Sequence, residues 1–176
     1  MKRYFLIFTL SLLSLPGYSQ KRQVYTQSSG DSRVTYDLSA SFGNYNDKTY
    51  NEVTLGLNWI TADWFNWRNA AFSRFGESVD TVSGLDSSAR FQGGFETDGG
   101  GLGVHAFIGP GVRLASKNYN AAFGEAGLVF KLGGLKIGGG AKSLYYFADR
   151  TDSTTGTTLP KNDNQIFLIL SGSGSL

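Results

Sequence analysis

Apolar and polar residues alternate at every second position along most of this chain, and that period restricts its fold more than any other feature. In "RVTYDLSASFG", residues 33 to 43, Val34, Tyr36, Leu38, Ala40 and Phe42 interleave with Arg33, Thr35, Asp37, Ser39 and Ser41. A period of two belongs to a β-strand with one apolar and one polar face. "EVTLGLNWI" repeats the pattern, with Val53, Leu55, Leu57 and Trp59 against Glu52, Thr54 and Asn58. Phe65 to Phe75 follows it more weakly, since Asn69 and Ser73 interrupt the apolar face while Arg68 and Arg74 share the other. "LDSSARFQGGFE" sets Leu85, Ala89, Phe91 and Phe95 against Asp86, Arg90 and Glu96; "LGVHAFIGPGVRL" sets Leu102, Val104, Ala106, Ile108, Val112 and Leu114 against His105 and Arg113. A sixth segment, from about Asn120 to Leu132, carries Glu125 and Lys131 on its polar face. The seventh opposes Leu135, Ile137, Ala141, Tyr145 and Phe147 to Lys136 and Lys142, and the eighth, "QIFLILSGSG", turns Ile166, Leu168 and Leu170 to one side. No stretch of helical period follows the N-terminal region, so a βαβ fold has no crossovers to build with.

Such strands can bury their apolar face in a soluble core or turn it to lipid. Several keep the alternation for about 9 to 11 residues, the length a tilted strand needs to cross a bilayer, whereas soluble strands average about 5 to 6. The apolar face includes Ala40, Ala71, Gly93, Ala106, Gly124, Ala126, Gly139 and Ala141. Small residues fill a water-excluding core poorly, because cores pack densely, but acyl chains adapt to them. Tyr36, Trp59, Phe65, Trp67, Phe95, Tyr145 and Phe147 fall near segment ends, where interfacial aromatic girdles belong. The connections alternate too: Thr61 to Trp64, Thr97 to Gly100 and Gly133-Gly134 are tight, while Gly43 to Thr49, Gly76 to Ser83 and Ala148 to Asp163 are longer, and Ser116 to Asn118 is short. An even strand count with short periplasmic turns and longer outer loops is the plan of a transmembrane barrel.

The N-terminus agrees with export. Lys2 and Arg3, an apolar run from Tyr4 to Leu15, the break at Pro16-Gly17 and small residues Gly17 and Ser19 before Gln20 make a secretory signal pattern over residues 1–19. The run is too short for a membrane-spanning helix, which needs about 20 apolar residues. Losing Lys2 and Arg3 with it brings the 16 basic residues level with the 14 acidic ones, so no nucleic-acid partner is indicated. Residues 20–29 then read as a short periplasmic lead and 30–176 as one barrel domain, without a linker or charge block. The chain has no cysteine, which excludes disulfides, thiolate metal sites and lipidation at cysteine.

On these residues the chain resembles the small eight-stranded outer-membrane barrels of the OmpA and OmpX type. The resemblance covers nearly all of residues 30–176 and rests on pattern, with no motif behind it. It implies an all-β, antiparallel up-and-down barrel, monomeric in the outer membrane of a Gram-negative bacterium, with a role in adhesion, resistance or envelope integrity. Two features depart from it. The last segment runs into "SGSGSL" rather than ending on an aromatic residue, so either Leu176 substitutes or the strand stops near Ser171. Pro110 removes a ladder donor, and Gly109 and Gly111 beside it predict a bulge.

An eight-stranded barrel has an interior just wide enough for side chains to fill. Asp37, Glu52, Arg68, Arg74, Asp86, Arg90, Glu96, His105, Arg113, Glu125, Lys131, Lys136 and Lys142 all fall on the polar face and are expected to pair into a lumen network. A narrow solute or ion path is the alternative use of the same residues. A lipid-modifying enzyme would have to rely on His105, the sole histidine, which parity turns into the lumen. "GGLKIGGGAKS" resembles a phosphate loop only faintly, because Ala141 separates Gly140 from Lys142 inside a strand. One histidine and no cysteine also argue against a transition-metal site, and no cofactor is expected. The longest loop, "ADRTDSTTGTTLPKND", offers Arg150, Asp152 and Lys161 as candidates for a surface contact. A soluble periplasmic barrel holding an apolar ligand is the reading that turns every face inside out.

Overall fold

The computed structural model describes residues 33–45, 48–77, 79–98, 101–152 and 156–172. The signal pattern, the N-terminal lead and the segment from 173 onward lie outside the described residues. The described chain forms β1 (Arg33–Tyr45), β2 (Lys48–Ala62), β3 (Phe65–Phe75), β4 (Val82–Glu96), β5 (Leu102–Ala115), β6 (Ala121–Leu132), β7 (Leu135–Tyr146), a short β8 (Arg150–Thr151) and β9 (Thr158–Leu159), and β10 (Asn162–Gly172). Eight of these strands close an antiparallel barrel in the order β1-β10-β7-β6-β5-β4-β3-β2, while β8 and β9 pair as a separate hairpin in the last loop. Each barrel strand pairs with its chain neighbour, and β1 with β10 completes the ring through Leu38 opposite Leu170 and Phe42 opposite Ile166. This is the up-and-down topology, which removes every free sheet edge.

The alternation decides which face is which. Leu55, Leu85, Ile108, Leu114, Ile166 and Leu168 are all more than half exposed on the outside, whereas Glu52, Arg74, Asp86 and Arg113 inside are almost inaccessible. A soluble barrel has the opposite arrangement, so the faces are those of a barrel solvated by lipid. Trp64, Phe65 and Phe91 cluster on the outside near the end that carries both strand termini, with Trp64 and Phe91 stacked at 6.1 Å, and the Trp59 and Trp67 rings toward the same end lie 5.9 Å from each other. The opposite end carries Phe42, Phe75, Tyr145 and Phe147 on the outer face.

Two local features differ from the sequence reading. The connection expected over Gly43 to Thr49 is largely strand, because Asn44 pairs with Thr49 and Tyr45 with Lys48 and the hairpin continues past the apolar pattern. The bulge expected at Pro110 is not there either. Ser88 faces Gly111 and Phe91 faces Ile108 with no residue inserted between, so the ladder with β4 only loses the intervening pairs. On the other side Pro110 stays in register opposite Gly124. Gly109 lets the strands approach at this gap, since a Cβ there would lie 2.6 Å from the Ala89 carbonyl oxygen. The register shift among the paired strands falls instead between Ile60 and Ala62 on β2.

The lumen is a packed interior. Phe107 on β5 and Phe167 on β10 stack across it at 6.3 Å. The glycines of β6 and β7 make their room: a Cβ on Gly140 would meet the Phe167 ring at 2.7 Å and the Ala126 carbonyl oxygen at 2.1 Å. The sequence "GGLKIGGGAKS" therefore serves packing within β7. Nearer the end away from the termini, Tyr50, Phe72, Val82, Tyr119, Phe123, Leu144, Tyr146 and Leu159 form a second apolar cluster.

Candidate functional site

The polar lumen is the candidate site, and it divides into three tiers. The central tier is built on Arg113 of β5, which no solvent reaches. Its guanidinium donates twice to Asp86, through Nε to Oδ1 at 2.7 Å and Nη2 to Oδ2 at 2.8 Å. It also donates twice to Glu52, through Nη1 to Oε2 at 2.9 Å and Nη2 to Oε1 at 2.7 Å. Lys142 donates to Asp86 at 2.8 Å, and Arg74 extends the tier from Glu52 at 3.4 Å to Asp163 at 3.3 Å. Tyr50 and Tyr146 both donate to Asp163, at 2.6 and 3.0 Å. Aromatic faces complete the cage: the Arg113 guanidinium lies 3.7 Å above the Phe72 ring and that of Arg74 3.9 Å above Tyr50. Cation–π contact substitutes for the hydration these cations have lost.

The second tier lies toward the terminus end. Arg68 holds Asp37 bidentately at 2.9 and 2.6 Å, and Arg90 holds Glu125 the same way at 2.8 and 3.0 Å, with Ser88 donating to Glu125 at 2.7 Å. Fork-on-carboxylate geometry of this kind gives charge-assisted bonds about twice as strong as neutral ones. Among the described residues, the buried charged ones are Asp37, Glu52, Asp86, Glu125, Asp152 and Asp163 against Arg68, Arg74, Arg90, Arg113, Lys142 and Arg150. Signs therefore balance, as burial without a bulk counter-ion requires. Most of these pairs cross the lumen between strands that are not sheet neighbours: β5 to β2, β7 to β4, β3 to β1, β4 to β6 and β3 to β10.

Glu96, His105, Lys131 and Lys136, expected in the same network, sit apart from it in a third tier at the terminus-end rim. Glu96 ends β4, Lys131 nearly ends β6 and Lys136 is second in β7, so they lie beyond the buried layers. There Lys131 pairs with Glu96 at 2.7 Å, and the His105 ring nitrogen Nε2 lies 3.1 Å from the other Glu96 oxygen. No serine hydroxyl hydrogen-bonds His105 among the described residues, and no group of three or more His, Cys, Asp or Glu there is placed to hold a metal ion.

The loop residues are also corrected. Arg150 and Asp152, expected to be offered to solvent, are buried, because the β8–β9 hairpin folds the loop over the barrel end. Arg150 lies 3.3 Å above the Tyr146 ring and 4.6 Å from that of Tyr119, and donates to the Pro160 carbonyl oxygen. Asp152 accepts from Lys48. Lys161 remains exposed and pairs with Asp149 at 3.1 Å.

Sequence reasoning missed Asp163, Tyr50, Tyr146 and Gln165, whose amide donates to Tyr50 at 3.0 Å and to Glu52 at 3.3 Å. Counting every second residue back from Phe167 reaches Gln165 and Asp163, but Asn162 and Asn164 on the other face are polar too, so no alternation marks them.

No family model and no curated protein matches the sequence. The fold is similar to that in the crystal structure of Neisserial surface protein A (NspA), an eight-stranded outer-membrane barrel, with a TM-score of 0.53 and 8% sequence identity over 80% of this chain and 96% of that one. The likeness is one of fold, and by fold the chain is an eight-stranded antiparallel barrel of the outer-membrane type.

Proposed function

We propose that this chain is a non-enzymatic integral protein of a Gram-negative outer membrane, whose filled barrel serves as a rigid scaffold for contacts made by the end opposite the termini. One observation carries the reading: large apolar side chains face outward around the barrel while the charged ones close on each other inside. An outward charge at mid-bilayer costs roughly 2–4 kcal/mol, so this partition has a stability reason only in lipid. With the outer face committed to lipid and the centre filled by Arg113, Glu52, Asp86 and Phe72, the loops are the parts left to meet a partner. The hairpin of β8 and β9 is the best supported contact element, being anchored by Arg150 and Asp152 while Thr151, Thr158 and Lys161 face out.

Fractionation of producing cells with unheated and boiled gel electrophoresis tests the placement. A band confined to the outer membrane that migrates differently unheated is the expected result, and a soluble protein with no heat shift overturns it. Liposome swelling with size-graded sugars tests the plug. Swelling no faster than in empty liposomes is expected, whereas rapid sugar entry would assign the lumen to transport.

A further inference from the structure

One stretch of the outer face departs from its commitment to lipid. β3 and β4 place two polar cross-strand pairs there, Asn69 opposite Ser87 and Ser73 opposite Ser83, on either side of Ala71 and Leu85. They include Asn69 and Ser73, the two residues that interrupt the apolar alternation of β3 in the sequence. Three of the four are served within the patch. The Trp67 indole Nε1 donates to Ser87 Oγ at 3.0 Å, and Ser83 Oγ donates to Ser73 Oγ at 3.3 Å. The Asn69 amide is left out: it makes no side-chain hydrogen bond among the described residues, and its oxygen and nitrogen both reach the surface.

The depth of Asn69 makes this costly. It lies inside β3, between Trp67 and Ala71, well short of Phe75 and opposite Leu57 of β2. A tilted strand of 11 residues crosses the hydrocarbon, so the amide sits where neither water nor a headgroup reaches. Outward polar residues of other strands, such as Asn51, Ser143 and Asn164, lie instead toward the end away from the termini, near the outer aromatics Phe75 and Tyr145. Acyl chains hold no donor or acceptor, so the group that satisfies Asn69 must come from protein at the same depth.

We infer that the β3–β4 face is where two copies of this chain meet in the membrane, with their Asn69 amides paired across a two-fold axis. The inference rests on the lipid-facing placement proposed above. Copies inserted with the same end outward are related by an axis along the membrane normal, so a residue beside that axis meets its own copy at equal depth. An amide suits such a meeting, because it carries both a donor and an acceptor and each Nδ2 can donate to the other Oδ1. Asparagine pairs with itself in this way at the buried seam of coiled coils, where it fixes partner and register. Asn69, Ala71 and Ser73 follow one another on the outer face of β3, and short side chains let two such faces approach.

The chain has no cysteine, so Lys161→Cys, exposed in the last loop, carries a single donor or acceptor dye. Full-length barrels with the two labels are mixed, folded into phosphatidylcholine vesicles and followed by energy transfer as lipid is added. The parent should transfer above the level of randomly placed neighbours and lose the excess only on strong dilution. Asn69→Leu removes the amide in favour of a side chain that suits lipid. It should lower the association constant about tenfold, the effect of two hydrogen bonds of the strength measured between membrane helices. Ala71→Phe should weaken association by holding the faces apart, whereas Ala141→Phe, equally far along β7 on the other side of the barrel, should not. Flotation with the vesicles and the heat shift on a gel report that each variant is inserted and folded. Random-level transfer from an inserted parent, transfer unchanged by Asn69→Leu, or no difference between Ala71→Phe and Ala141→Phe would overturn the pairing and leave the lipid placement standing. A parent that does not float with vesicles would overturn both.

Discussion

Replacing Arg113 with Met tests whether the lumen is a dry network or a hydrated one. The substitution keeps an unbranched apolar stem and removes four charged hydrogen bonds of 2.7 to 2.9 Å. The two carboxylates it leaves are not equally stranded. Asp86 keeps Lys142 at 2.8 Å, but Glu52 keeps only Arg74 at 3.4 Å and Gln165 at 3.3 Å. Removing one partner of a buried ion pair costs about 3–5 kcal/mol, mostly through the uncompensated charge, and Glu52 is the group that bears it here. The double variant Arg113→Met with Glu52→Gln leaves no stranded charge and should recover about half of that loss. Equilibrium unfolding in urea of barrels folded into lipid vesicles measures both, with Trp59, Trp64 and Trp67 as fluorescent reporters near the terminus end. A single variant within about 1 kcal/mol of the parent, or a double variant no more stable than the single, would refute the reasoning, since water would then be replacing Arg113 at no penalty.

Other outcomes follow from the same geometry. Leu55→Arg, in the middle of β2 on the lipid face, should destabilise by about 2–4 kcal/mol in the same vesicle assay, and Leu102→Arg at the end of β5 by about 0–1 kcal/mol. Gly140→Leu should abolish the heat-shifted band, because even its Cβ falls 2.1 Å from the Ala126 carbonyl oxygen. Asp152→Asn weakens the partly exposed pair with Lys48, which should cost about 1 kcal/mol or less and fade with added salt.

The sequence made legible what lipid imposes. β3 runs from Phe65 to Phe75 as the pattern predicts, and Ala40, Ala71, Ala126 and Ala141 all lie on the outer face with their larger neighbours. Alternation needs an apolar face, however, and strands that rise past the bilayer have none. Asn44, Thr49 and Asn51 are outward and polar, so the continuation of the first hairpin left no signal, and neither did the start of β10 at Asn162. The interior was legible as a set of charges but not as pairs. Glu52 meets Arg113 across 61 residues and Tyr50 meets Asp163 across 113, distances that only closure of the ring fixes. Tyr50, Tyr119 and Tyr146 escaped notice for a related reason: they line a polar lumen with rings that count as apolar.

That the ion pairs bridge strands out of register with the sheet order has a consequence for how the barrel forms. Hairpins alone satisfy the backbone, but an open sheet of them would carry Asp37, Glu125 and Asp163 into lipid far from Arg68, Arg90 and Arg74. Insertion and the meeting of β1 with β10 therefore belong to one concerted event, with the pairs formed last. Interactions made after the transition state hold a protein by slowing its unfolding and leave its folding rate nearly unchanged. The lumen charges act in this way as a lock on the seam, and a variant such as Arg113→Met should show it by dissolving sooner while assembling as fast as its parent.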